Sequence, residues 1–119
     1  MRQEIENRLV DFAADVVKIR PGLDRNDLAE NLIKQLSRSS SSAALNYSEA
    51  IGAESRKDFI HKVSLVLKEI RESYNNLRII RKSGLYNGNQ EDIEKLVDEC
   101  SQLVAIFHKT VLTLKNRKD

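Results

Sequence analysis

Tryptophan is absent, and cysteine and proline occur once each, as Cys100 and Pro21. A lone thiol cannot close an internal disulfide and suits a reducing compartment, so a cytoplasmic setting is expected. One proline and four glycines leave few breakers along the chain. A sandwich or barrel needs turn signals roughly every 8–12 residues, so this scarcity excludes those folds and favours long helices. Aromatic residues make up only 5%, which leaves few platforms for stacking single-stranded bases. Met1 is followed by charged residues, and no apolar run reaches signal-peptide or membrane-spanning length, so no membrane association is expected. Neither sign of charge dominates. Twenty basic residues face eighteen acidic ones for a net +2, so only the placement of charge can point to a partner.

What is present is helical periodicity. Residues 1–119 suit one domain, large enough to bury roughly two-thirds of its unfolded surface without a disulfide or metal. Ile5, Leu9, Phe12, Val16 and Ile19 recur by fours and threes and predict a first helix over about 2–20, ended by Pro21-Gly22. Asp24 is the expected N-cap of a second helix over about 25–51, with Leu28, Leu32, Leu36, Ala43, Tyr47 and Ala50 on one face. Its middle, Ser37-Arg38-Ser39-Ser40-Ser41-Ser42, has the composition of a linker. The apolar phase is kept across it, which favours one continuous helix narrow enough for a neighbour to approach closely. Ser55 and Asp58 have capping-box spacing and open a third helix over about 56–82. Its stripe is Phe59, Val63, Val66, Ile70, Leu77 and Ile80, with Gly84 as the left-handed cap. Asn89 caps a fourth helix over about 90–116, striped by Ile93, Leu96, Cys100, Leu103, Phe107, Val111 and Leu114. Short connections make successive helices antiparallel, so the expected fold is all-α, an antiparallel up-down-up-down four-helix bundle. Val10, Ala14 and Val17 form a second apolar row on the first helix, turned about 100° from Leu9 and Val16, and suggest a subunit interface. Leu65 and Ile79 also stand off the main stripe of the third helix.

Chemistry is sparse. Asp58 and His61 have the i, i+3 spacing of a di-iron bundle, but no second pair exists and Asp58 already serves the cap. His108 reads as a boundary residue, and Cys100 as a small core hydrophobe. The glycines at 22, 52, 84 and 88 are solitary, and the serine run holds no nucleophile-elbow pattern. No catalytic residue, metal or cofactor is expected. In the expected topology Lys18, Arg20, Arg25, Arg78, Arg81 and Lys82 gather at one pole as a candidate phosphate-backbone footprint for RNA or DNA. The helix dipole alone accounts for most of these cations, and Asp24, Asp27, Glu91 and Asp92 dilute their field. Lys115, Arg117 and Lys118 form a second basic tail at the other pole. Arg38, Ser42, Asn46 and Glu49 make a polar ridge on the second helix within about 80° of arc.

That ridge carries a resemblance. Gln35-Leu36-Ser37-Arg38-Ser39, Ser42, Asn46 and Glu49, followed by Ser55, Lys57, Asp58 and Phe59, resemble the four-helix bundle proteins encoded in 23S ribosomal RNA intervening sequences. The stretch from Leu67 to Leu77 with Glu72, and Gly84-Leu85-Tyr86, are similar to that family's third helix and its exit. Ala50 stands where the family usually has glycine, Ala44 where proline is frequent, and Lys68-Glu69 replaces a Gly-Ser pair. The resemblance implies a homo-oligomeric ring, with a pentamer favoured, and no enzymatic activity. Similarity to the accessory bundles of diversity-generating retroelements implies nucleic acid and a protein partner as binding targets. It also turns Arg38, Asn46 and Glu49 from plain surface into candidates for a functional or subunit-contact face. A protein-interaction scaffold with no direct nucleic-acid role is the alternative.

Overall fold

A computed structural model of the chain describes residues 2–117. It contains four long helices, α1 (Arg2–Lys18), α2 (Asp27–Ile51), α3 (Arg56–Ser83) and α4 (Gln90–Asn116). Cross-helix pairs define their directions. Arg38 meets Glu69 and Glu72 while Glu49, further along α2, meets Lys62, earlier on α3. Partner numbers fall as residue numbers rise, which requires antiparallel neighbours. Arg81–Glu94 and Arg71–His108 show the same reversal between α3 and α4. Neighbouring helices pack around a ring, with α1 and α3 across one diagonal and α2 and α4 across the other. The result is an up-down-up-down four-helix bundle.

Heptad-like stripes from all four helices close the core. Leu9, Phe12, Val16, Leu36, Val63, Val66, Ile70, Leu77, Ile93 and Leu103 are buried in it. Tyr47 meets Phe107 edge-on, with ring centroids 5.5 Å apart. The bundle is a rod of 50 × 22 × 20 Å. Its radius of gyration, 15.0 Å, exceeds the ~13.5 Å of a compact chain this long, so the long lateral faces are its main surface.

The serine run lies inside α2, and the linker alternative is excluded. Ser39 and Ser40 are buried, and the Ser39 and Ser73 hydroxyls lie 2.6 Å apart across the α2–α3 seam. Larger side chains at those two positions would hold the helices apart. Gly84 is the left-handed cap, with φ of 75°. Ser55 accepts the Asp58 N–H at 3.1 Å. Asn89 caps α4 by accepting from Glu91 N at 3.0 Å.

Three local expectations are corrected. α1 stops at Lys18, and Pro21 sits inside a 3-10 turn over Arg20–Gly22, whose geometry its fixed φ suits. Asp24 does not cap α2; Asn26 does, accepting from Ala29 N at 2.8 Å. The reason is tertiary. Leu23 pairs antiparallel with Tyr86, Asp24 N donates to Leu85 O at 2.9 Å and the Asp24 carboxylate accepts from Asn87, so Asp24 is tied to the neighbouring loop and the chain bends through Arg25 and Asn26 before α2 begins. Leu28 is exposed rather than core, because Ala29, Leu32, Leu36, Ala43 and Tyr47 set the buried phase of α2. Lys118, assigned to the C-terminal basic tail, lies outside the described residues.

Candidate functional site

The six cations expected at one pole differ in how they are neutralised. Lys18 pairs with Asp15 at 3.6 Å, Arg20 with Glu30 at 3.1 Å and Arg81 with Glu94 at 3.2 Å. Arg25, Arg78 and Lys82 are exposed and make no carboxylate pair among the described residues. Arg78 instead donates to Asn75 Oδ1 at 3.2 Å and lies 5.5 Å over the Tyr74 ring, so its guanidinium is oriented while its charge stays available.

Arg78 and Lys82 belong to a longer feature running along α3 rather than around the pole. At 100° per residue, Lys57, Lys68, Arg71, Arg78 and Lys82 fall within about 80° of arc on the outer face of α3. All five are exposed, and none pairs with a carboxylate among the described residues. Arg71 contacts His108 Nδ1 at 2.9 Å. The acidic residues of α3, Asp58, Glu69 and Glu72, project to the flank turned towards α2. The outer face of α3 therefore carries cations and no acid, while Lys62 lies with the acids on the α2 flank; a net charge of +2 conceals this. The signal is legible in a helical projection of residues 57–82; sorting charges by bundle pole passes over it.

The polar ridge resolves into separate contacts. Arg38 donates to Glu72 at 2.5 Å and to Glu69 at 3.3 Å. The bond to Glu72 and the charge of Glu69 hold this guanidinium still further above its ordinary pKa. Glu49 accepts from Lys62 at 3.0 Å, and the Asn46 amide donates to Ser42 O on its own helix at 2.9 Å. Arg38 and Glu49 thus join α2 to α3 from the outside, flanking the Ser39–Ser73 contact.

Beside that contact, Leu32, Gln35, Arg38, Glu72, Asn75, Asn76 and Ile79 line a groove of about 410 Å³ between α2 and α3. Asn76 is only 7% exposed, and among the described residues its Oδ1 is the buried side-chain polar atom with no hydrogen-bond partner. Leaving such an atom unmatched costs about 1–3 kcal/mol. Sequence reading did not single out Asn76, because the lack of a partner exists only once α2 is packed against α3.

The second apolar row of α1 is exposed, Val10 by 51% and Val17 by 61%, with Ala14 also at the surface. Leu45 on α2 and Ile79 on α3 are exposed as well. His61 and His108 are both exposed. Cys100 is buried, its Sγ donating to Ile70 O at 3.4 Å. Burial, with a smaller contribution from Glu99, pushes the thiol up to about 12. It is no nucleophile near neutral pH. Among the described residues no cluster of His, Cys, Asp and Glu is suited to hold a metal, and no helix is long and apolar enough to cross a membrane.

The family model described as 23S rRNA-intervening sequence protein matches residues 2–109. Among solved structures, a protein of unknown function from the S23 ribosomal protein family of Bacteroides thetaiotaomicron superposes with a TM-score of 0.79. It is 24% identical, and the match covers 93% of this chain and 98% of that one; this likeness shows the fold. No curated protein matches the chain. Neither the matched family nor the structural neighbour carries an enzymatic description.

Proposed function

The chain belongs to the 23S rRNA-intervening sequence protein family, and we propose that it is a self-associating, non-catalytic cytoplasmic module that binds structured RNA or DNA through the outer face of α3. The observation that carries this reading is the row of exposed cations from Lys57 to Lys82, none paired with a carboxylate among the described residues. Residues 57 and 82 are about 37 Å apart along a helix, close to one duplex turn of about 34–36 Å. A straight cationic row of that length suits a regular phosphate backbone better than a compact anion. Charges already held by carboxylates, as at Lys18, Arg20 and Arg81, contribute less to this surface.

Self-association rests on a different face. Val10, Ala14 and Val17 lie on α1, across the bundle diagonal from α3. Copies joined through that row would leave their α3 faces outward, and a ring, a pentamer in this proposal, would present several weak footprints together. Binding should therefore be steeply salt-dependent. Five phosphate contacts per protomer imply a slope of log K against log salt of about −4.5 on duplex. Titration of duplex DNA and a base-paired RNA across a salt series measures it. The triple variant Lys68→Gln, Arg71→Gln, Arg78→Gln should flatten the slope by about 2.7. A wild-type slope near zero, or one that the triple variant leaves unchanged, rejects the assignment.

The exposed valines also favour a second reading, a scaffold that holds a partner protein on α1. It predicts salt-insensitive capture of one protein, lost in Val17→Asp and kept in the triple variant.

A further inference from the structure

The cationic row of α3 has a neighbour on α4. Arg71 Nη2 lies 2.9 Å from His108 Nδ1, and both side chains are exposed. A guanidinium can only donate, so Nδ1 accepts, and the imidazole in this contact is neutral with its proton on Nε2. We propose that His108 completes a phosphate site with Arg71, and that it takes up a proton when a backbone phosphate of the nucleic acid occupies that site; this rests on the α3 reading above.

The surroundings favour that exchange. On α3 the charged residues within about two turns of Arg71 are Lys68, Glu69, Glu72 and Arg78. Both carboxylates are turned to α2, where they hold Arg38. On α4 the charged residues within about two turns of His108 are Lys109 and Lys115. α1 packs on the opposite flank of α4, where Glu99 meets Arg8 about 180° round the helix from His108. α2 lies across the bundle diagonal. A charge on His108 thus has no carboxylate partner among the described residues until an anion arrives. A phosphate held by Arg71 brings one beside the imidazole, and an opposite charge within about 4–6 Å favours the protonated ring. With a proton from solvent on it, Nδ1 stops accepting from Arg71 and donates to a phosphate oxygen, as a second prong beside the guanidinium. The phosphate then bridges two cations that would otherwise repel.

The test titrates duplex DNA onto the full-length protein at fixed salt from about pH 8 to about pH 5.5, the range over which an imidazole gains its proton. Affinity should rise about tenfold across that range. Calorimetry in two buffers of different ionisation enthalpy should register proton uptake on binding. His108→Gln keeps an acceptor for Arg71 but cannot be protonated, so it should abolish both the gain and the uptake. His61→Gln, at the exposed histidine outside this contact, should keep them. Salt-dependent binding of equal strength across the pH range overturns the His108 site and leaves the α3 reading standing. A gain that survives in His108→Gln does the same. Absent binding at every pH removes both. Inorganic phosphate that evokes the same proton uptake at the concentration of the duplex overturns a nucleic-acid strand as the source.

Discussion

The Ser39 and Ser73 hydroxyls meet 2.6 Å apart, both buried in the α2–α3 seam. A larger apolar side chain has nowhere to go, so Ser39→Leu should cost about 1–3 kcal/mol of stability in urea unfolding through overpacking. Ser41, two residues on, is exposed and bonds only to carbonyls of its own helix. Ser41→Ala should instead stabilise by a few tenths of a kcal/mol through helix propensity. Asn76 is the opposite case, a polar atom whose removal should help: Asn76→Leu is expected to raise stability by about 1 kcal/mol. Cys100 supplies a pH test. Its folded pKa, raised to about 12, lies above the value the thiol has when unfolded. The unfolded state therefore releases this proton first as pH rises, and the thiol's contribution to stability, complete below about pH 9, falls between there and about 12. Thermal melts of Cys100→Ala should show a shallower loss over that window than wild type.

At the scale of elements, the helices were largely legible and their junctions less so. The apolar phase carried through Ser37–Ser42 correctly because a helix must keep one face to the core whatever its middle is made of. The α3 cap and its left-handed exit at Gly84 were readable because caps are local. Asp24 and Asn26 are equally plausible caps by composition. The choice fell to Asn26 because Asp24 is held by Leu85 and Asn87 of the neighbouring loop, two residues before the helix can start. Asn26→Ala should accordingly cost about 1 kcal/mol by the loss of a helix cap. Asp24→Ala should act only through its contact with Asn87, a difference that paired denaturation curves would show. The loops before α2 and α4 are joined by the same contacts. Tyr86 packs so closely on Gly22 and Gly88 that a Cβ at either glycine would collide with its ring.

For the whole molecule, two faces on opposite sides of the bundle matter most. The α1 row of Val10, Ala14 and Val17 is an apolar surface on a helix that already buries Leu9, Phe12 and Val16. Val10→Asp with Val17→Asp should shift the mass measured by light scattering from oligomer towards the 13.6 kDa protomer. Because both side chains are exposed, the far-UV helical signal should be retained. An unchanged oligomer would assign self-association to another face. The candidate row on α1 was visible in sequence as a surplus beyond one core stripe. The α3 cationic face was present in the same sequence, but residues spread over 57–82 become one surface only when α3 is a single straight helix with its acids turned to α2.

Sequence alone determined the four helices, their antiparallel order and most of the core, because periodicity, caps and breakers act within a few residues of one another. Tertiary structure decided what each polar residue does, because its partner sits on another helix. Packing committed Arg38 to Glu69 and Glu72, and Glu49 to Lys62. It left the outer cations of α3 without carboxylate partners among the described residues. It also buried Asn76 Oδ1 with nothing to bond. Local rules give a side chain its face; only the assembled bundle determines whether its charge or hydrogen bond is already satisfied.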